Sequence, residues 1–226
     1  MGRPRTDIQP RILAAARARF LVDGVDGASL RTIARDAKTS IGMVFYYYPT
    51  KEALFLATVE EVYARILRDL EVILAEPRPV RERLARAFER FGSASPDELT
   101  VIRLVVREAL LATDRFALLL ERFRRGHVAK LLALLAEGAA SGEIDGALPL
   151  PLLLVATLGI GGLPQVVRRV AGDAPPFAAL PSPAELAQMQ VDVLFGGIGA
   201  EGRSRPRKRA GRAPKERAPK KRPRPR

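Results

Sequence analysis

Three residues able to cap a helix, Ser29, Ser40 and Thr50, stand ten or eleven positions apart, and each opens a stretch with helical apolar spacing. A side-chain oxygen at such a place accepts a hydrogen bond from an N–H one turn in, which fixes where a helix begins. Before them, Thr6 or Asp7 can cap a first helix, where Pro10 is tolerated because the N–H of the opening turn is unpaired. Ile12, Ala16 and Phe20 make its apolar stripe, and Asp23-Gly24-Val25-Asp26-Gly27 breaks it. The helix after Ser29 is about two turns long, with Ile33, Ala34 and Ala37 on its inner face. After Lys38-Thr39, a third helix runs from Ile41 to Tyr48 and stops at Pro49, with Val44 and Tyr48 turned inward; Lys51 begins a long fourth.

Two short helices joined by a tight turn inside a three-helix unit are the build of a helix-turn-helix, and the third helix would carry its capped end into the major groove of DNA. Phe45 to Tyr48 are four consecutive aromatics. Successive helical residues lie about 100° apart, so they cannot all face one side. Ile41, Met43, Tyr46 and Tyr47 are left for the DNA, and Gly42 lets the backbone approach a phosphate.

Composition removes competing chemistries. The chain has no cysteine and one histidine, His127. Disulfides, thiolate nucleophiles and zinc sites of the His/Cys kind are excluded, and no metal or cofactor is expected. No carboxylate, hydroxyl, lysine or tyrosine set stands at a mechanistic spacing, so the chain is expected not to be an enzyme. The N-terminus is basic but its apolar residues are interrupted by arginines, which is not a signal peptide. The run Leu148 to Leu163 carries prolines and glycines and falls short of the roughly 20 residues a membrane span needs, so it is expected to be a buried helix. The expected location is the cytoplasm, at the nucleoid, with no membrane partner.

The formal net charge of +13 is unevenly placed. Residues 202–226 hold thirteen Lys/Arg against one acid, Glu216. Residues 1–53 hold nine Lys/Arg against five acids, whereas 54–201 hold 16 against 19. A cationic front and an anionic back suit a protein that presents one end to a polyanion. The Pro/Ala/Lys/Arg tail cannot bury enough surface to offset its ordering entropy and is expected to be disordered, as a phosphate-binding arm or a solubilising extension. Arg3-Pro4-Arg5 is either a minor-groove arm or an inert start.

Behind the first unit, helices are expected at about 51–75, 79–92, 96–112, 114–140, 150–171 and 184–195. Asp114 to Ala140 is apolar around most of its surface, and helices of that kind need partners on several sides. Gly159, Gly161 and Gly162 would let another backbone approach, and Leu186, Met189 and Val193 form one stripe. Arg103 and Arg107 share a face of an apolar helix and His127 interrupts another. Each is a candidate to hold an acidic or polar ligand group; the alternative is pairing with acids such as Glu108, or facing water.

The string I-L-A-A-A-R-A-R-F…G…S-L-R-T-I-A-R-D-A-K-T-S-I-G-M-V-F-Y-Y-Y-P-T-K-E-A-L resembles the DNA-binding domain of TetR-like (tetracycline-repressor-like) regulators from roughly Thr6 to Tyr63. The resemblance implies an all-α protein in three parts: a helix-turn-helix domain over 6–66 (the motif at about 29–49), a helical effector-binding and dimerisation domain over 67–196, and the basic tail. It implies that Arg31 faces the groove, that Ser40 begins the recognition helix, that Met43 and Tyr47 lie at base or backbone contacts, and that Tyr46 and Lys51 meet phosphates. Ser29, Thr39, Ile41 and Gly42 complete the implied DNA-binding set.

Three positions depart from the family pattern. Lys38 stands where glycine is usual, at a cost of roughly 1 kcal/mol or more if the turn is left-handed. Phe45 replaces a tyrosine and cannot donate to a phosphate; Tyr48 replaces a phenylalanine and needs a partner if buried. The resemblance further implies a homodimer through helices 150–171 and 184–195, a near-palindromic operator, and a hydrophobic or amphipathic small-molecule effector in a cavity of the middle helices. Repression is the family default. The competing reading is an architectural DNA-binding protein acting through its tail.

Overall fold

Every expected cap among the described residues is made. In the structure, a computed structural model that describes residues 8–172 and 174–198, Ser29 accepts from the Thr32 N–H, Ser40 from Met43 and Thr50 from Ala53. They open α2 (Leu30–Asp36), α3 (Ile41–Tyr47) and α4 (Lys51–Leu74), which follow α1 (Ile8–Gly27). The Thr6/Asp7 cap, the Arg3-Pro4-Arg5 arm and the 202–226 tail lie outside the described residues.

α1 is kinked at Gly24, whose φ of 73° sits in the left-handed region, so the expected break falls inside the assigned helix. Tyr48 is not the last residue of α3 but its extended C-cap. Lys38 adopts φ 54°. The turn between α2 and α3 thus keeps the left-handed form usually given to glycine, and the strain is borne by a lysine.

The remaining helices are α5 (Val80–Gly92), α6 (Pro96–Leu110), α7 (Asp114–Phe123), α8 (Ala129–Ser141), α9 (Leu150–Ala171) and α10 (Pro183–Ile198). The single helix expected over 114–140 is interrupted: Arg124–Val128 forms a π-helical turn in which Gly126 is non-helical (φ −96°, ψ −117°). The Tyr63 hydroxyl reaches from α4 to take the His127 N–H at 3.1 Å, and it occupies the space that a Cβ on Gly126 would need.

Two apolar cores are stacked along α4. The first joins Ile12, Ala16, Phe20, Ile33, Val44, Leu54 and Phe55 to Val101 and Leu104 of α6 and Leu119 of α7. The second joins Leu74, Leu84, Phe88, Leu135, Leu153, Val191 and Leu194. Because α6 and α7 lend side chains to the first core, the body is packed into the N-terminal unit rather than merely tethered to it. Ion pairs cross the same boundary. Arg17, 8% exposed, meets Glu61 and Asp97 at 3.1 Å each, and Arg115 grips Asp26 with two bonds of 3.0 Å while its Nε holds Glu108 at 2.8 Å.

α9 corrects one expectation. By length and composition it could cross a membrane, yet only one of its faces is covered. Leu153, Thr157, Gly161 and Gln165 are buried, while Leu152, Val155 and Leu163 are exposed. The glycines do not admit a backbone within this chain. Gly161 lies under the Phe88 ring, Gly162 near Phe91, and Gly159 faces open space. The α10 stripe also divides: Leu186 is buried, whereas Met189 and Val193 are more than half exposed.

Candidate DNA-reading face and ligand cavity

α3 is held by one buried side of its short cylinder. Val44 is fully buried and Tyr48, at its C-cap, is 7% exposed. The Tyr48 hydroxyl finds Gln9 of α1, which answers the need for a partner created by replacing phenylalanine; burial still pushes that phenol above its ordinary pKa. The opposite side is open. Gly42, Phe45 and Tyr46 are exposed, Tyr46 at 76%. Met43 is half-buried, and Ile41 and Tyr47 are half-buried against the first core. Tyr47 stands edge-on to Tyr46 at 5.1 Å, so it props the exposed ring as much as it faces outward. Phe45, set aside by sequence reasoning because it cannot donate to a phosphate, belongs to the same exposed surface.

Ser29, Arg31 and Ser40 are exposed at the starts of α2 and α3, with Thr39 half-buried between them. Arg31 makes no ion pair among the described residues, unlike Arg19, which is held by Asp36 at 2.6 Å. Lys51 is placed differently from the expectation. Its ammonium turns back to the carbonyls of Asp26 (2.6 Å) and Ala28 (3.2 Å), tying the α1–α2 turn to the start of α4.

Behind this unit, α4 to α9 and the π turn line a cavity of about 320 Å³ that is partly open to the surface. Its wall is apolar: Val59, Ile66, Phe88, Phe91, Val105 and Phe123 are typical. Polar atoms are few. The Tyr63 hydroxyl lies 3.0 Å from His127 Nδ1 while accepting from the His127 backbone N–H. With its one proton it donates to Nδ1, which leaves a neutral ring protonated at Nε2. Burial, aided by the nearby Arg122 guanidinium, lowers the His127 pKa to about 4. Arg90 also lines the wall, but Asp69 and Glu98 hold it at 2.7 Å each. The Thr157 hydroxyl is buried with no protein partner among the described residues.

Of the three proposed ligand-holding residues, the structure brings only His127 into the cavity. Arg103 and Arg107 are exposed on α6 and border a groove outside it, and Glu108 serves Arg115 and Thr113 rather than either of them. Sequence reasoning did not find Tyr63 or Thr157. The signal for Tyr63 was indirect, a Gly-His pair interrupting an apolar helix 64 residues away.

A depressed histidine pKa has a measurable consequence. Between pH 6.5 and 4 the unfolded chain binds a proton that the folded chain refuses, so stability falls as pH drops through that window. Relative to His127→Asn, the parent protein should lose an extra 2–3 kcal/mol or so between pH 7 and pH 4, read by urea unfolding. Equal losses would mean that the ring is hydrated and titrates normally.

Residues 12–58 match the model of "bacterial regulatory proteins, tetR family". Over 167 residues the chain is 27% identical to the HTH-type transcriptional repressor SCO4008 of Streptomyces coelicolor, covering 72% of this chain and 82% of that one. It is 30% identical over 97 residues to the HTH-type nicotine-responsive transcriptional repressor HdnoR of Paenarthrobacter nicotinovorans, spanning half of that relative. Among solved structures, the transcriptional regulator FadR of Bacillus subtilis, crystallised with stearoyl-CoA, superposes with a TM-score of 0.70 at 19% identity, covering 84% of this chain and 98% of that one. That likeness establishes the fold.

Proposed function

Because residues 12–58 match the tetR family of bacterial regulatory proteins, we propose that the chain is a TetR-like regulator that represses transcription as a homodimer, holding a near-palindromic operator until a small hydrophobic or amphipathic effector fills the cavity behind the DNA-reading face. The observation that carries this reading is α3: a capped helix, anchored by Val44 and Tyr48, whose other side stands open to solvent. Its site of action is the cytoplasm, its DNA contacts are Arg31, Ser40, Gly42, Met43, Tyr46 and their neighbours, and the division near residue 66 separates reading from sensing.

The coupling follows from the packing. α6 carries cavity residues Val101, Ile102, Val105 and Val106, and also buries Leu104 in the first core. Just beyond α6, Arg115 holds Asp26 at the α1–α2 turn. A ligand that favours one position of α6 therefore biases the placement of the reading unit, to the extent that it binds one arrangement better than the other.

Arg31→Ala and Tyr46→Ala should each weaken binding to the operator about 10–100-fold while leaving the circular dichroism spectrum and the dimer unchanged, since neither side chain supports the core. Unaltered affinity in both variants would remove α2 and α3 from the interface. An architectural role through the basic tail predicts that outcome, with binding lost on deleting residues 202–226.

A further inference from the structure

The cavity opens toward a groove between α6 and α9. Ile102 and Val106 line both spaces. On α9, Leu158 and Gly162 line the cavity while Val166 and Val170 line the groove, and these four positions recur every four residues along one stripe. An apolar track thus runs from the cavity to the surface. Gly162 keeps it open, since only the edge of the Phe91 ring lies near the place of its missing side chain.

Charge is placed at one end of that track. Arg103 and Arg107, one helical turn apart, border the groove, and neither makes a hydrogen bond or ion pair among the described residues. Arg107 feels Asp26 at longer range, but that carboxylate is held by Arg115. Among the described residues, no acid lines the cavity or the groove. Two like charges side by side on a helix repel, so an apolar groove flanked by an unpaired cationic couple is unfavourable while empty. The deep end differs. Its histidine is neutral, its arginine is taken by two carboxylates, and its remaining groups are hydroxyls. An ionised group would lose its hydration there with no cation to meet it. Only the groove end can hold an anion.

We propose that the effector is an amphipathic anion, a hydrocarbon chain ending in a carboxylate or phosphate, whose chain fills the cavity and whose head is held by Arg103 and Arg107 in the groove. This rests on the cavity being the effector site and adds the chemistry of what it takes. It also gives the head group a lever. The Arg107 guanidinium occupies the space a side chain on Gly24 would need, at the kink of α1 in the reading unit. A head group that draws Arg107 into the groove withdraws it from that kink.

The test is isothermal titration of the full chain with decanoate, decyl phosphate and decan-1-ol, repeated on the Arg103→Gln/Arg107→Gln double variant. Both arginines are exposed and outside the cores, so the variant should fold. At least one anion should bind the parent about tenfold or more tighter than the alcohol, as charge-assisted hydrogen bonds to a ligand allow. The double variant should erase that preference while leaving decan-1-ol unchanged, and the ranking of decanoate against decyl phosphate identifies the head. Equal affinity for anion and alcohol, or a preference surviving in the variant, overturns the anionic head and leaves the cavity as effector site. Failure of all three to bind overturns both.

Discussion

The Val155→Glu/Val193→Glu double variant is expected to be a monomer and to lose operator binding. Both valines are 67% exposed, on α9 and α10 faces that nothing among the described residues covers. Leu152 and Leu163 flank the first and Met189 the second, all more than half exposed, and Gly159, Gly196 and Gly197 leave open space among them. Exposed apolar side chains grouped in this way point to an interface. The proposed occupant is the same face of a second copy, related by a two-fold axis. Burying one valine contributes about 1.5–3 kcal/mol, and an isolated carboxylate in its place costs more than that, so two per protomer overwhelm a dimer of ordinary strength. A lone α3 then loses the second half-site. Sedimentation equilibrium reads the first effect and DNA titration the second. A double variant that stays dimeric would place the interface elsewhere; a parent chain that partitions into lipid vesicles would make α9 a membrane element instead.

Gln190→Leu should lower stability by about 2 kcal/mol, or a melting temperature by roughly 4–8 °C. Pro164 sits inside α9 and has no N–H, so the carbonyl of Ile160 loses its helical partner. Gln190, 4% exposed on α10, donates its amide to that carbonyl and to Gly161 O at 3.1 Å, and its own oxygen accepts from Gln165 at 2.9 Å. Leucine fits the space but leaves the Ile160 carbonyl unpaired and removes one of the two acceptors of the Gln165 amide, which keeps Pro183 O at 3.1 Å. The Pro164→Ala/Gln190→Leu double variant should recover part of the loss, because alanine restores the donor to Ile160. No recovery on differential scanning calorimetry would separate the proline from the glutamine.

What could be read from the sequence was local. Ser29, Ser40 and Thr50 announce their helices because a cap acts on an N–H three residues away, and Val44 and Tyr48 point inward because spacing alone sets the face. What could not be read depends on distant partners. The π turn at Gly126 is braced by Tyr63 arriving from α4, and Pro164 inside α9 is tolerable because Gln190 arrives from α10. Lys51 was expected at a phosphate because it begins a helix, and its capture by Asp26 and Ala28 depends on the path of the α1–α2 turn. Leu186 separates from Met189 and Val193 because α10 lies along α5, so Ala187, Val191 and Leu194 choose the buried side. At the cavity, His127 could be picked out as a lone polar residue in an apolar helix, but its neutral state could not, since that comes from burial and from Tyr63.

If α3, doubled by symmetry, reads base sequence, selecting bound duplexes from random DNA with the full chain, against excess competitor DNA, should enrich one near-palindrome. Its half-sites should lie about one helical turn apart, roughly 34–36 Å. Recovery of duplexes with no shared sequence, or of a single unpaired half-site, would contradict it.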